Sequence, residues 1–205
     1  DFTLKMNTLE QINCEVATCK DCILFNNRTN TVPGEGPKDA QIMIVGEAPG
    51  FNEDKEGRPF IGASGRLLSS FLEMAGFTRS DVYITNTVKC RPPNNRDPLP
   101  FEMDQCKKYL DRQIQLIDPK IIITLGRFSF NRFFPNEAIG VSRGKPIQDG
   151  GRIFYPMYHP AAALRQTKYK KLIEDDMVNL AEIFKGISSS RLLITSPEEG
   201  NTASN

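Results

Sequence analysis

The sequence predicts an α/β fold: a central four-stranded parallel sheet flanked by helices on both faces. Three observations carry that expectation. Four short apolar runs, 41–46 (QIMIVG), 81–89 (DVYITNTVK), 120–126 (KIIITLG) and 152–160 (RIFYPMYHP), are rich in β-branched residues and bounded by turn signals. Helical segments alternate with them, which favours a parallel sheet covered on both sides. A chain of 205 residues is long enough for one substantial core and cramped for two.

The elements follow in order. Residues 3–17 are weakly amphipathic and predict a helix, and a polar, turn-rich stretch after Cys22 leads to the first strand. The loop after that strand, GEAPGFNEDKEGRPFIG (46–62), opens with glycine and proline and then carries five charged side chains. From Ser64, read as a cap, Leu67, Leu68, Phe71, Leu72 and Ala75 form one apolar face, and Gly76 suits the stop. The second strand is followed by RPPNNRDPLP (91–100), whose four prolines exclude regular structure. A helix over about 101–117 ends at Asp118-Pro119. The third strand precedes a Phe-rich helix, and a Gly- and Pro-containing segment (140–151) leads to the fourth. A last helix over about 169–184 has Leu172, Ile173, Met177, Leu180 and Ile183 on one face. Residues 1–187 are read as one domain and 188–205 as a polar, flexible tail.

Composition narrows the function only by exclusion. With 39% hydrophobic and 25% charged residues the chain reads as soluble, and the sequence shows no apolar run of membrane-spanning length and no basic-plus-apolar stretch of the leader type. A cytoplasmic location and no membrane partner are the expectations. A net charge of +1 announces no general basic field, so a nucleic-acid surface must be a local patch.

Ligands of parallel sheets bind outside the carboxyl ends of the strands. Glu47 follows the first strand, Asn86 lies near the end of the second, and His159, the only histidine, closes the fourth. Asn86 has poor strand propensity but offers a donor and an acceptor side by side, as a planar ligand edge requires. Phe60, between Pro59 and Gly62, suits a held loop, although a core role is the ordinary one for phenylalanine. Arg165, Lys168, Lys170 and Lys171 form a basic run beside His159; such a run is either a solvated face or a phosphate contact.

Five cysteines make an odd count, and cytosolic thiols are kept reduced, so a disulfide frame is disfavoured. Cys19-x2-Cys22 fits a metal clasp, with Cys90 and Cys106 as further thiolates. Zinc more often takes a second CxxC; an iron–sulfur cluster tolerates scattered ligands. Cys14, in the predicted helix, is read as a small core residue. Buried thiols throughout are the bland alternative.

Three motifs, GEAPGFNEDKEGRPFIGASGRLL, ITNTVKCRPPNNRDP and YHPAAALR, together with Cys19, Cys22, Cys90 and Cys106, resemble the iron–sulfur uracil-DNA glycosylases, the fourth family of that superfamily. The similarity runs from about Cys19 to Phe184. It implies that fold, a [4Fe-4S] cluster on the four cysteines, and uracil-containing DNA as partner of a monomer that is nucleoid-associated when bound to DNA; a sliding-clamp contact stays open. The implied activity is monofunctional excision of a flipped-out uracil, leaving an abasic site as the first step of base excision repair.

The resemblance implies that Phe60 stacks on uracil, Asn86 reads its edge and Glu53 crowds the C5 position. Ala48 and Gly50 present backbone amides to the pocket. His159 donates to O2, and Glu47 stabilises the sugar cation or positions water. The best-known uracil glycosylases have an aspartate where this chain has Ala48, so the resemblance leaves the water-activating role to Glu47. Leu164 or Arg165 would fill the gap left by the flipped nucleotide. A related branch captures DNA covalently through a histidine between the third and fourth cluster cysteines. Residues 91–105 contain none, so turnover is expected.

Overall fold

The computed structural model describes residues 8–194. Five strands form one sheet in the order β2-β1-β3-β5-β4. The strands β1 (Ile42–Gly46), β2 (Val82–Asn86), β3 (Ile121–Leu125) and β5 (Arg152–Met157) are parallel, as expected. The fifth strand, β4 (Ile147–Asp149), pairs antiparallel with β5 at the edge, so the sheet has one strand more than the sequence predicts. Its signal is Asp149-Gly150-Gly151-Arg152. Both glycines take positive φ (+56° and +77°), the conformation a two-residue hairpin turn demands.

Burial follows the period of two. Ile42 and Ile44 of β1 pack with Ile84, Ile121, Ile123 and Tyr155 toward helices α3 (Ala63–Met74) and α8 (Thr167–Ile194). Met43 and Val45 pack with Tyr83, Ile122 and Phe154 toward α1 (Leu9–Thr18) and α4 (Pro100–Ile117). Short helices α2 (Phe51–Glu56), α5 (Arg127–Asn131), α6 (Ile139–Ser142) and α7 (Pro160–Arg165) fill the connections.

Several boundaries differ from the sequence expectation. The first helix is described from Leu9, capped by the Thr8 hydroxyl on the Gln11 N–H; residues 1–7 lie outside the described region. Cys14 is exposed, because the buried stripe is Leu9, Ile12 and Val16 and position 14 falls off it. Ser64 does not cap α3: that helix begins at Ala63 behind Gly62, and the Glu53 carboxylate accepts from the Ile61 and Gly62 N–H groups instead (2.9 and 2.8 Å). The last helix continues to Ile194, past the expected end of the domain; residues 195–205 of the expected tail lie outside the described region. Among the described residues no helix is long and apolar enough to cross a membrane.

Candidate active site

The strand tips of β1 and β2 end level, with Gly46 opposite Asn86 in register. The chain after Asn86 stays beside β1, since Thr87 N–H donates to the Gly46 carbonyl (2.9 Å) and Val88 N–H to that of Glu47 (3.2 Å). β5 ends two residues before His159. These tips open into a cleft of about 480 Å³ whose lining includes Glu47, Ala48, Gly50, Glu53, Phe60, Asn86, His159 and Arg165. All seven residues expected from sequence to serve catalysis and base recognition therefore share one cavity. Arg165 joins them; Leu164 is exposed on α7 outside the lining.

Each side chain has a local cause. Asn86 continues the face of Val82 and Ile84 and is 1% exposed, yet its Oδ1 has no hydrogen-bond partner. A buried acceptor without a donor costs about 1–3 kcal/mol, so this one is set for something that enters. His159 precedes α7 and caps it, its Nδ1 accepting from the Ala161 N–H at 3.1 Å. That contact requires an unprotonated Nδ1, which leaves the ring proton on Nε2. Burial, aided by Arg165 and opposed by Glu53, pushes the imidazole down to about 4, so it is neutral at physiological pH.

Glu47 is displaced the other way. Burial first, then the Asp97 carboxylate, raises it to about 7 against the pull of Arg127 and Arg165. Asp97, Pro92, Asn95 and Arg96 belong to the proline loop, which makes one wall of the cleft. The sequence marks that loop as irregular and gives no sign that it reaches the site.

Phe60 stands in left-handed backbone, φ +51°, where a bulky residue is strained. Contacts from three directions hold it there. Arg79 donates to the Phe60 and Pro59 carbonyls (both 2.8 Å) and pairs with Glu35 (2.6 Å), which also holds Arg58. Glu53 grips the following two amides. A Cβ on Gly65 would lie 1.8 Å from the Phe60 carbonyl oxygen, so only glycine lets α3 approach. The ring is buried, 5.5 Å from the imidazole centroid in a stacked arrangement, and backed by Gly46. Gly46, Gly65 and Arg79 escape sequence reasoning; the first two carry no side-chain signal, and Arg79 acts from 19 residues away.

The family resemblance does not stand on motifs alone. A family model described as the uracil DNA glycosylase superfamily matches residues 33–180.

The chain belongs to the uracil-DNA glycosylase superfamily.

Among its relatives, a type-4 uracil-DNA glycosylase of Sulfurisphaera tokodaii is 50% identical over 188 residues, 87% of this chain and 86% of its own length. One of Saccharolobus solfataricus is 46% identical over 95% of this chain and 96% of its own length. One of Thermotoga maritima is 41% identical over 86% and 95%.

A second cavity shares no lining residue with the cleft. It is small, about 20 Å³, and Cys19, Cys22, Cys90 and Cys106 all line it, with Leu24, Val88 and Tyr109. Among the described residues no three His, Cys, Asp or Glu side chains are grouped to hold a single metal ion. The four sulfurs instead ring an apolar space and already draw donors: Arg28 Nη1 to Cys90 Sγ and Lys89 N–H to Cys106 Sγ, both 3.3 Å. Burial raises the Cys22 and Cys90 thiols and pushes Cys106 up to about 12. Such a set suits a group that itself neutralises thiolates and accepts N–H···S contacts.

Lys89 bridges the two cavities. It is fully buried, and its ammonium donates to Thr85 Oγ1 (2.5 Å), Gln113 Oε1 (2.8 Å) and the Asn86 carbonyl (2.8 Å). Three donors meet three acceptors. Lys89→Met should leave those acceptors unmatched and cost about 1–3 kcal/mol, lowering Tm by roughly 3–10 °C for a chain of this size. Calorimetry checks this, and an unchanged Tm would mean the site repacks without loss. The basic run is less organised: Lys171 pairs with Asp175 (2.7 Å) and Lys170 lies 3.9 Å from Glu174, one turn on along α8, as on a solvated helix face.

Proposed function

We propose that this protein removes uracil from DNA by hydrolysing its N-glycosidic bond, leaving an abasic site, and that it turns over without covalent capture. The observation that carries the reading is the unpartnered Asn86 Oδ1, buried in a cleft walled by Phe60. In this reading Oδ1 accepts from uracil N3–H while the amide nitrogen donates to O4. Cytosine presents the opposite pattern and leaves both groups mismatched, which discriminates by factors on the order of ten thousand. Phe60 stacks on the base, and Glu53, close enough to Gly50 that a Cβ there would meet its carboxylate at 2.8 Å, crowds C5 against thymine.

Bond cleavage runs towards a cationic sugar and an anionic uracil. His159 supplies its Nε2 proton as a hydrogen bond to O2; capping through Nδ1 fixes both tautomer and ring orientation. Ionised Glu47 faces the sugar, stabilising its charge and positioning water. With Ala48 packed against Leu24, Val88 and Cys90 instead of offering a second acid, Asp97 is the carboxylate that acts on Glu47 in the cleft. Leu164 and Arg165, exposed at the end of α7, enter the duplex where the nucleotide has left.

We assign a [4Fe-4S] cluster to Cys19, Cys22, Cys90 and Cys106. Held by these four cysteines it would tie the segment before β1 to the proline loop, a structural role in a hydrolysis that needs no electron transfer. The Arg28 and Lys89 contacts to sulfur support it.

A uracil-containing oligonucleotide incubated with iron-replete protein and then treated with alkali should be cut at the uracil. An intact strand would overturn the proposal. Asn86→Ala and His159→Ala should each slow excision at least tenfold and keep the visible absorbance of the cluster, whereas Cys90→Ala should lose that absorbance.

A further inference from the structure

Exposed large apolar side chains are ordinary when scattered. Phe51 is not scattered. Of the large hydrophobics exposed among the described residues, Phe51, 59% exposed, is the one that lines the cleft; Phe101, Met74 and Val141 lie elsewhere. The Arg91 guanidinium lies over its ring, 5.1 Å from the centroid. Arg91 Nε is held by Asn95 Oδ1 (2.6 Å), and no hydrogen bond of its two terminal nitrogens is found among the described residues. Asn95 itself lines the cleft from the proline loop.

We infer that Phe51 and Arg91 form a second nucleotide-binding site at the cleft mouth, where the base next to the extruded uracil stacks on Phe51 and its phosphate meets Arg91. Drawing one nucleotide out of a strand deprives its neighbour of a stacking partner. An aromatic ring covered on one face by a cation, with more than half of its surface exposed, supplies a replacement that tolerates any base. Arg91 polarises the stack and, with its Nε already anchored, directs its free N–H groups at the backbone. The inference rests on the cleft being the uracil pocket.

The test is a cycle between protein and substrate. Single-stranded oligonucleotides carry uracil with an intact neighbour on each side, or with the 5′ or the 3′ neighbouring base deleted as a tetrahydrofuran spacer. For the unaltered protein, deletion on one side should raise KM about tenfold, the scale of one stacked base. Phe51→Ala should raise KM similarly on the intact strand, with kcat little changed, and become indifferent to that deletion. Phe51→Trp should restore the dependence. Phe51 packs in no core, so the variants should melt with the unaltered protein. A neighbour effect that persists undiminished in Phe51→Ala, or no neighbour effect at all in a protein that excises uracil, would overturn the second site and leave the pocket standing.

Discussion

Glu47→Gln should slow uracil excision by about 100- to 1000-fold at pH 8, the usual cost of removing one preorganised charge partner from a transition state. At the same pH it should make the protein more stable. Both effects come from one displacement. Burial and Asp97 raise the Glu47 carboxyl from 4.5 to about 7, so the folded state prefers the protonated form that catalysis cannot use. A carboxyl whose folded pKa lies above its unfolded value costs no stability below pH 4.5; the cost grows as pH rises and is complete above about 7. With its partial exposure allowed for, that is about 1–2 kcal/mol. The neutral amide of Glu47→Gln escapes it, so the variant's advantage in Tm should be present at pH 8 and vanish near pH 4.5.

The rate carries the same signature. kcat/KM of the unaltered protein should fall with unit slope below about pH 7, reaching roughly one hundredth of its plateau near pH 5. His159, held near 4, stays neutral through that range and adds no second limb there. Glu47→Gln should be slow and flat with pH. A unit-slope limb surviving in the variant would assign the titration to another group.

How much of this is legible in the sequence follows from which residues speak through their own side chains. The four parallel strands announce themselves because each is an apolar run buried on both faces, and Glu47, Asn86 and His159 stand out because polar groups at strand ends are costly without a purpose. β4 escapes notice because Ile147–Asp149 is a short, largely exposed edge strand with no apolar run, and only the Gly-Gly turn betrays it. Cys14 belongs in the core by residue type alone, where helix phase puts it outside. Lys89 and Arg79 are easily passed over because a lysine or arginine reads as surface until the structure buries one and aims the other at a backbone carbonyl. Ser64 looks like a cap, but the Glu53 carboxylate, from the preceding helix, meets the amides that lead into α3. What sequence hides is the part played by atoms that are absent.

Gly46→Ala tests that part directly. Gly46 lies in β1 without the positive φ that would itself demand glycine, so a methyl group is tolerated by the backbone and the question is only space. There is none. A Cβ would stand 2.4 Å from Asn86 Oδ1 and 2.6 Å from Cε2 and Cζ of Phe60. In a looser site the ring would swing aside. Here the Phe60 backbone is fixed by Arg79 on its carbonyl, by Glu53 on the next two amides and by Gly65 pressed beneath it, so the buried ring can give way only by turning about its own side-chain bonds, out of its stack on the imidazole. Asn86 is no freer, with its carbonyl on the Lys89 ammonium and its neighbours in the ladder. Overpacking of this kind costs about 1–3 kcal/mol, and a displacement approaching about 1 Å at both the stacking ring and the base-reading amide should lower excision by about 100-fold or more. Adding Phe60→Leu to Gly46→Ala should recover much of the Tm, because the methyl group then has room, and little of the activity, because the stacking wall is gone. Gly76→Ala is the control: a Cβ there meets nothing within 4 Å, and at φ +81° it should cost about 1 kcal/mol with excision unchanged. Gly46→Ala within about threefold of the unaltered rate would mean that Asn86 and Phe60 are not held as rigidly as their contacts require.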